Sequence, residues 1–257
     1  MSRFSNLEFQ SQPEEESQGD AAVKDEAYYL AEARAGFEAG RFEGALRSFS
    51  KVLEFNPQNT GAWSGQVRML IELQEYREAK IWADKALERF PHDPELLAAK
   101  AVALGRLGDL KAALAFSDAA IEERGETPYV WLARGDVLLA RRERHAEFCF
   151  ERAVGFAPRD WLVHWLASRV YYFYEKFSLA LKLASQALAL ETSRAVLWLQ
   201  VGYCQQALGL IGAARSSFEQ AQQLSPVGTP ADQALIELGQ IGFWRPLWSR
   251  WRRWWNP

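Results

Sequence analysis

A period of 34 residues runs through most of this chain, and a fixed period of that length dictates a stack of small units, each burying its apolar face against the next. With Glu26 in first place, the frame sets small residues at Ala33 and Ala45, large ones at Phe42 and Phe49, a turn glycine at Gly40 and Pro57 near the unit's end. The second unit, from Thr60, answers with Trp63, Tyr76, Ala79, Ala86 and Pro91, and the third, from Pro94, with Leu97, Ala101, Gly108, Leu110, Ala113 and Ala120. The fourth, from Pro128, carries Trp131 and Gly135. Its second half, Ala146, Phe150, Ala153 and Pro158, keeps step if one residue is missing from the turn near Arg141 to Arg144. The fifth, from Trp161, has Tyr171, Phe177, Ala180 and Ala187; the sixth, from Ala195, has Trp198, Gly202, Gly209, Ala214, Phe218, Ala221 and Pro226.

These residue types at these places describe a pair of antiparallel helices. Small residues let the two helices approach, aromatic residues fill the space to the next pair, and proline closes a unit because it cannot continue a helix. Pro57, Pro91, Pro158 and Pro226 end units, while Pro94, Pro128 and Pro230 begin helices. After Gly228, Thr229 precedes Pro230, and the run Leu235, Ile236, Leu238, Ile241 predicts an amphipathic helix over 229–242 that covers the open end of the sixth unit.

The pattern resembles the tetratricopeptide repeat family, whose 34-residue signature runs Trp, Leu, Gly, Tyr, Ala, Phe, Ala, Pro, and the resemblance spans residues 26–228. It implies an all-α fold: a right-handed superhelical solenoid of six helix pairs (26–59, 60–93, 94–127, 128–160, 161–194 and 195–228) with the capping helix after them. It also implies a non-catalytic scaffold or adaptor that holds segments of partner proteins in a concave groove lined by the first helix of each unit. On that expectation the ninth place of successive units presents Arg34, Arg68, Val102, Asp136, Arg169 and Tyr203. Arg34 and Arg68 each have a glutamate four residues on, Glu38 and Glu72, so an intrahelical ion pair competes with a groove role. Arg169 instead has Trp165 and Phe173 at its i−4 and i+4 positions, Tyr172 beside them, and Leu199 and Tyr203 across in the next unit. An arginine among rings can stack on them and still offer its edge to a carboxylate; the competing reading is that the rings are core between repeats. Members of the family that bind chaperone tails carry a carboxylate clamp of lysines, asparagines and an arginine. The corresponding places here are Leu30, Arg34, Gly65, Glu95 and Ala99, which argues against that role.

Two tails flank the array. Residues 1–25 hold Glu8, Glu14, Glu15, Glu16, Asp20 and Asp25 against Arg3 and Lys24, a composition that predicts a flexible acidic arm; Phe4, Leu7 and Phe9 are its possible docking residues. Residues 243–257 hold five of the chain's 11 tryptophans. Trp244, Trp248, Trp251 and Trp255 form a helical stripe with Leu247, Trp254 lies outside it, and Arg250, Arg252 and Arg253 fall largely on the other side. Indole rings at headgroup level opposed by arginines suit the surface of an anionic membrane, although a protein-docking peptide and a tail folded back on the array fit the same residues. A helix of about ten residues spans roughly 15 Å, too short to cross a bilayer. The expected place is the cytoplasm, with the tail at the inner face of a membrane.

The rest of the composition narrows the function further. A net charge of −3 gives no general attraction to nucleic acid. Cys149 and Cys204, 55 positions apart, imply buried thiols and neither zinc nor a disulfide framework. His145 and Cys149 stand four apart, the nearest thing to a thiol with its base, but nothing nearby orients them. No phosphate-binding glycine loop and no metal-ligand spacing occurs, so no catalytic residue, cofactor, metal or small-molecule substrate is expected, and the partners are proteins.

Overall fold

The computed structural model describes residues 24–225 and 230–239, and among these every regular element is helical. The chain divides into two compact units, Met1–Ala157 and Pro158–Pro257. The first contains α1 (Glu26–Glu38), α2 (Phe42–Phe55), α3 (Thr60–Glu72), α4 (Tyr76–Arg89), α5 (Pro94–Leu107), α6 (Leu110–Glu122), α7 (Pro128–Ala140) and α8 (Ala146–Phe156). The second contains α9 (Trp161–Phe173), α10 (Phe177–Leu190), α11 (Ala195–Ala207), α12 (Ile211–Gln223) and α13, residues 230–239.

Short polar residues start the first helix of most pairs. The side chains of Asp25, Asn59, Asp93, Thr127 and Asp160 each accept a hydrogen bond from a backbone N–H in the first turn of α1, α3, α5, α7 and α9, satisfying a donor that the helix itself leaves open. Pro94 and Pro128 follow two of these caps at the position where a missing N–H costs nothing. Between the helices of a pair the chain turns through a left-handed residue. Gly40, Gly108 and Gly209 do so at φ of 71°, 91° and 77°, where glycine carries no steric penalty.

Each helix packs on the next within its own unit, and α3 also touches α5, α5 touches α7, and α9 touches α11. Close approach within a pair depends on alanine. Ala45, Ala79, Ala113, Ala146, Ala180 and Ala214 stand at the same register on α2, α4, α6, α8, α10 and α12, each at most 1% exposed. Two turns on, Val52, Ala86, Ala120, Ala153, Ala187 and Ala221 are fully buried. Ala146, Phe150 and Ala153 therefore occupy the core as their counterparts do. The missing residue is absorbed in front of them: α8 begins 18 residues after the start of α7, where every other second helix begins 16 after its first.

Large rings meet glycines. A Cβ added at Gly202 would lie 2.4 Å from the Phe218 ring, one at Gly135 would lie 2.7 Å from Phe150, and one at Gly65 would lie 2.5 Å from Phe49. In the second unit, Ala234 and Leu238 of α13 join Ala214 and Phe218 in one buried cluster. The buried face of α13 is Ala231, Ala234 and Leu238. Ile236, expected on that face, is instead 58% exposed, because two residues from both Ala234 and Leu238 is the opposite side of a helix. Thr229 and Ile241 of the expected capping helix lie outside the described residues, as do 1–23 and the whole of 243–257. No described helix is long and apolar enough to cross a membrane.

Gly202→Ala is expected to cost about 1–3 kcal/mol, since the Phe218 ring must leave its well-packed position. Urea denaturation measures the loss, and adding Phe218→Leu, which withdraws the ring, should recover part of it. An unchanged midpoint for Gly202→Ala would contradict the contact.

Candidate functional site

The first helices of the first unit bring charged side chains together on one face. Arg68 leaves α3 and lies between two rings, its guanidinium carbon 5.1 Å from the centre of Phe37 on α1 and 4.0 Å from that of Tyr129 on α7. Both distances are within cation–π range. Phe37 is buried, Arg68 is half-buried, and Arg34, on α1, is exposed.

Beside this sandwich lies an ion pair with almost no contact with solvent. Arg106 at the end of α5 donates from Nε to Asp136 Oδ1 at 3.0 Å and from Nη2 to Oδ2 at 2.5 Å, a two-pronged pairing between α5 and α7. The two side chains are 7% and 3% exposed. Both tyrosines at the edges of the network have raised phenol pKa values. Burial is the main cause for Tyr129; Arg68 works against it, while Glu95, Asp136 and Glu72 push further up. For Tyr76 burial again dominates, opposed by the charge and hydrogen bond of Arg106 and reinforced by Asp136 and Glu72. Arg68, Glu72, Glu95, Arg106 and Asp136, from α3, α5 and α7, thus lie close enough to one or both of these tyrosines to act on them. Ser64 on α3 also donates to Glu95 at 3.4 Å.

In the second unit the expected aromatic cluster divides. Trp165 has no exposed surface, so its ring is a floor under Arg169, whose guanidinium carbon stands 5.2 Å away, and not a contact surface as the sequence suggested. The reason is its place on α9: Val163 to Ser168 is a continuous buried run facing the neighbouring helices. Tyr203 packs edge-on against Phe218 at 5.2 Å, and it and Leu199 lie against the cluster that α13 completes. Burial raises the Tyr203 phenol, Glu237 and Tyr172 add to the rise, and Arg169 opposes it, which puts these four side chains in one neighbourhood. Tyr172 turns toward Phe177 at 5.3 Å, while Phe173 turns toward Tyr174 at 5.0 Å and is 44% exposed. Trp244, Leu247, Trp248, Arg250, Trp251, Arg252, Arg253, Trp254 and Trp255 lie outside the described residues.

Arg106, Phe37 and Tyr129 are not among the residues expected to form the groove, whereas Asp136 stands in its ninth-place row. Reading one row, the ninth place, shows Asp136 without its partner. The signal lies in reading adjacent rows together, because Arg106 occupies the thirteenth place of the unit before, one turn further along the same helix face.

Neither thiol is poised for chemistry. Cys149 Sγ lies 3.8 Å from the backbone oxygen of His145, the residue that precedes α8, and burial raises the thiol's pKa. Cys204 is pushed up to about 11, again by burial, against the lowering effect of hydrogen bonds with Ser168 and Gln200. A thiol held above its ordinary range is a poor nucleophile. No group of three or more histidine, cysteine or carboxylate side chains that could hold a metal occurs among the described residues.

Models of protein families described as tetratricopeptide repeat match residues 5–154 and 195–227. No curated protein matches the sequence. Among solved structures, the fold is similar to that of a tetratricopeptide repeat protein from Parabacteroides merdae, at 18% identity and a TM-score of 0.53, over 85% of this chain and 86% of that one. It is also similar to human IFIT1 in a dimer with m7Gppp-AAAA (20% identity, TM-score 0.52, 86% of this chain and 57% of that one). A third similarity is to a chain of the APC/C hetero-tetramer Cut9–Hcn1 (17% identity, TM-score 0.51, 85% of this chain and 44% of that one). The chain therefore spans about half the length of the IFIT1 and Cut9–Hcn1 chains, and nearly the full length of the bacterial one.

Asp136→Ala should lower stability by about 3–5 kcal/mol, because it leaves the buried Arg106 guanidinium without its carboxylate. Replacing both partners by apolar residues, Arg106→Met with Asp136→Leu, should restore most of the loss. Urea melts of the three chains decide it, and a single variant as stable as the parent would show the pair to be solvated.

Proposed function

This chain belongs to the tetratricopeptide repeat family, and on that premise we propose that it is a non-catalytic adaptor whose first helices bind segments of partner proteins. The fold is a scaffold for protein interaction in general. The observation that supports a groove in the first unit is Arg68, whose guanidinium lies over the rings of Phe37 and Tyr129. Stacking occupies the faces of a guanidinium and leaves its N–H edge, so the side chain is ordered before a ligand arrives and loses little freedom on binding one. Arg34, exposed on the first helix of the preceding pair, extends the same row. In the second unit Arg169, Tyr172 and Phe173 are the corresponding contacts, with Trp165, Leu199 and Tyr203 supporting them from below.

The C-terminal segment supplies location in this reading. A stripe of Trp244, Trp248, Trp251 and Trp255 opposed by Arg250, Arg252 and Arg253 suits the interface of an anionic bilayer. Groove and tail then divide the work: one takes cargo and the other holds the complex at the cytoplasmic surface of a membrane.

Arg68→Ala and Arg169→Ala should each weaken binding of the protein that copurifies with the full chain by more than about 1 kcal/mol, with helicity by circular dichroism unchanged. Full-strength binding in both variants would rule out the groove as the contact surface.

For the tail, cosedimentation with vesicles should rise with anionic lipid and fall with salt, since each arginine near the surface adds roughly 1 kcal/mol of attraction that screening removes. Changing the four stripe tryptophans to serine should abolish sedimentation and leave the melting temperature unchanged. If the parent stays in solution and the variant melts early, the tail packs on protein and the membrane reading fails.

A further inference from the structure

The fourth helix pair departs from the others around α8. Trp63 and Trp198 each donate from Nε1 to the backbone oxygen six residues upstream, Pro57 and Thr192, at 2.9 Å. Trp131 stands at the same place in its pair, yet its Nε1 is buried with no acceptor. Six residues upstream is Gly125, drawn into a tight turn in which its N–H donates to Ala120 O at 3.1 Å after a left-handed Arg124. A Cβ there would meet Ala120 O at 2.4 Å, so the turn requires glycine.

Over this region opens a pocket of about 410 Å³ lined by Glu126, Phe148, Glu151, Arg152, Gly155 and Phe156. Its two phenylalanines are 54% and 41% exposed. The Arg152 guanidinium carbon lies 5.1 Å from the Trp131 ring and 5.5 Å from Phe156, and Phe148 meets Trp131 edge-on at 6.1 Å. Among the described residues the carboxylates of Glu126 and Glu151 have no hydrogen bond or ion pair. Gly155 lies within α8, where glycine costs helix stability, and an added Cβ there would meet nothing within 4 Å. Neither packing nor backbone conformation asks for glycine at that position; its effect is to keep the pocket open.

We propose that this pocket is a second docking site, independent of the groove, and that it takes an arginine or lysine side chain from a partner protein. The aliphatic stem lies on Phe148 and Phe156, and the charged end sits between Glu126 and Glu151. Charge decides the sign of the ligand. The lining holds two carboxylates without a hydrogen bond or ion pair and one guanidinium, which already lies against two rings, so a cation gains two partners while an acidic group meets two like charges.

The Trp131 indole is a reporter next to the site, since its ring touches Arg152 and Phe148 of the lining. The probes are three capped pentapeptides, each an alanine–leucine pair, a central residue and a leucine–alanine pair, with arginine, glutamine or glutamate at the centre. Titrated into the ¹⁵N-labelled full chain, the arginine peptide should shift the Trp131 indole resonance saturably and leave those of Trp63 and Trp198 in place. The glutamine and glutamate peptides should not shift it. Glu126→Gln with Glu151→Gln should weaken the arginine peptide about fivefold or more, and Gly155→Leu should abolish its binding by filling the pocket. The proposal is overturned if the arginine peptide leaves Trp131 unmoved, if the glutamate peptide moves it equally, or if the double glutamine variant binds as the parent does. That last comparison stands even if Gly155→Leu fails to fold.

Discussion

Everything in this molecule rests on six alanines where the two helices of each pair cross. At Ala45, Ala79, Ala113, Ala146, Ala180 and Ala214 the second helix offers one methyl group and nothing more, each of them at most 1% exposed. In the first pair an added Cβ on Gly36 would already come within 3.3 Å of Ala45. Interiors are packed at crystal density, so a crossing set by one methyl group tolerates neither a larger residue nor a void. Each unit of the stack takes its geometry from that distance.

Given the crossing, the next layer trades volume between facing helices. Phenylalanine at 150 and 218 lies over glycine at 135 and 202, whereas the corresponding second-helix places in the second, third and fifth pairs hold Ala83, Ser117 and Ala184. Their first helices then carry Val67, Ala101 and Ser168, all buried. The exchange keeps the space filled while the sequence varies, which is how a weak repeat retains a constant core. Ser168 shows what a polar residue needs in order to join: its hydroxyl donates to Ala180 O at 2.8 Å and accepts from Gln200 Nε2 at 3.1 Å, so no group is stranded.

Much of this was legible in the sequence because the repeat multiplies each weak signal. One buried alanine means little; six at one register define the helix pairs, and they also reveal the residue lost before Ala146. The groove was less legible, because a row of residues does not say which are covered. Trp165 shares the face of Arg169 by spacing, yet it sits entirely beneath it. Leu199 and Tyr203 reach the same face, but α13 lies against the cluster they join. Local spacing offers Arg68 either Glu72 or a ligand; the rings of Phe37 and Tyr129 come from one helix pair before it and two after, distances along the chain that no local pattern encodes.

The two arginines at the centre of the first unit illustrate how burial separates structure from recognition. Arg106 has both prongs on Asp136 and almost no exposure, so its hydrogen-bonding edge is spent inside the protein, and its charge serves to fix α5 against α7. Arg68 is half-buried and engaged through its faces, a contact that orders the side chain without consuming the N–H edge. Residues of identical chemistry, on neighbouring first helices, are therefore committed to different tasks by the groups that surround them. A ring on each side leaves an arginine something to offer a partner, whereas a carboxylate in front of it does not.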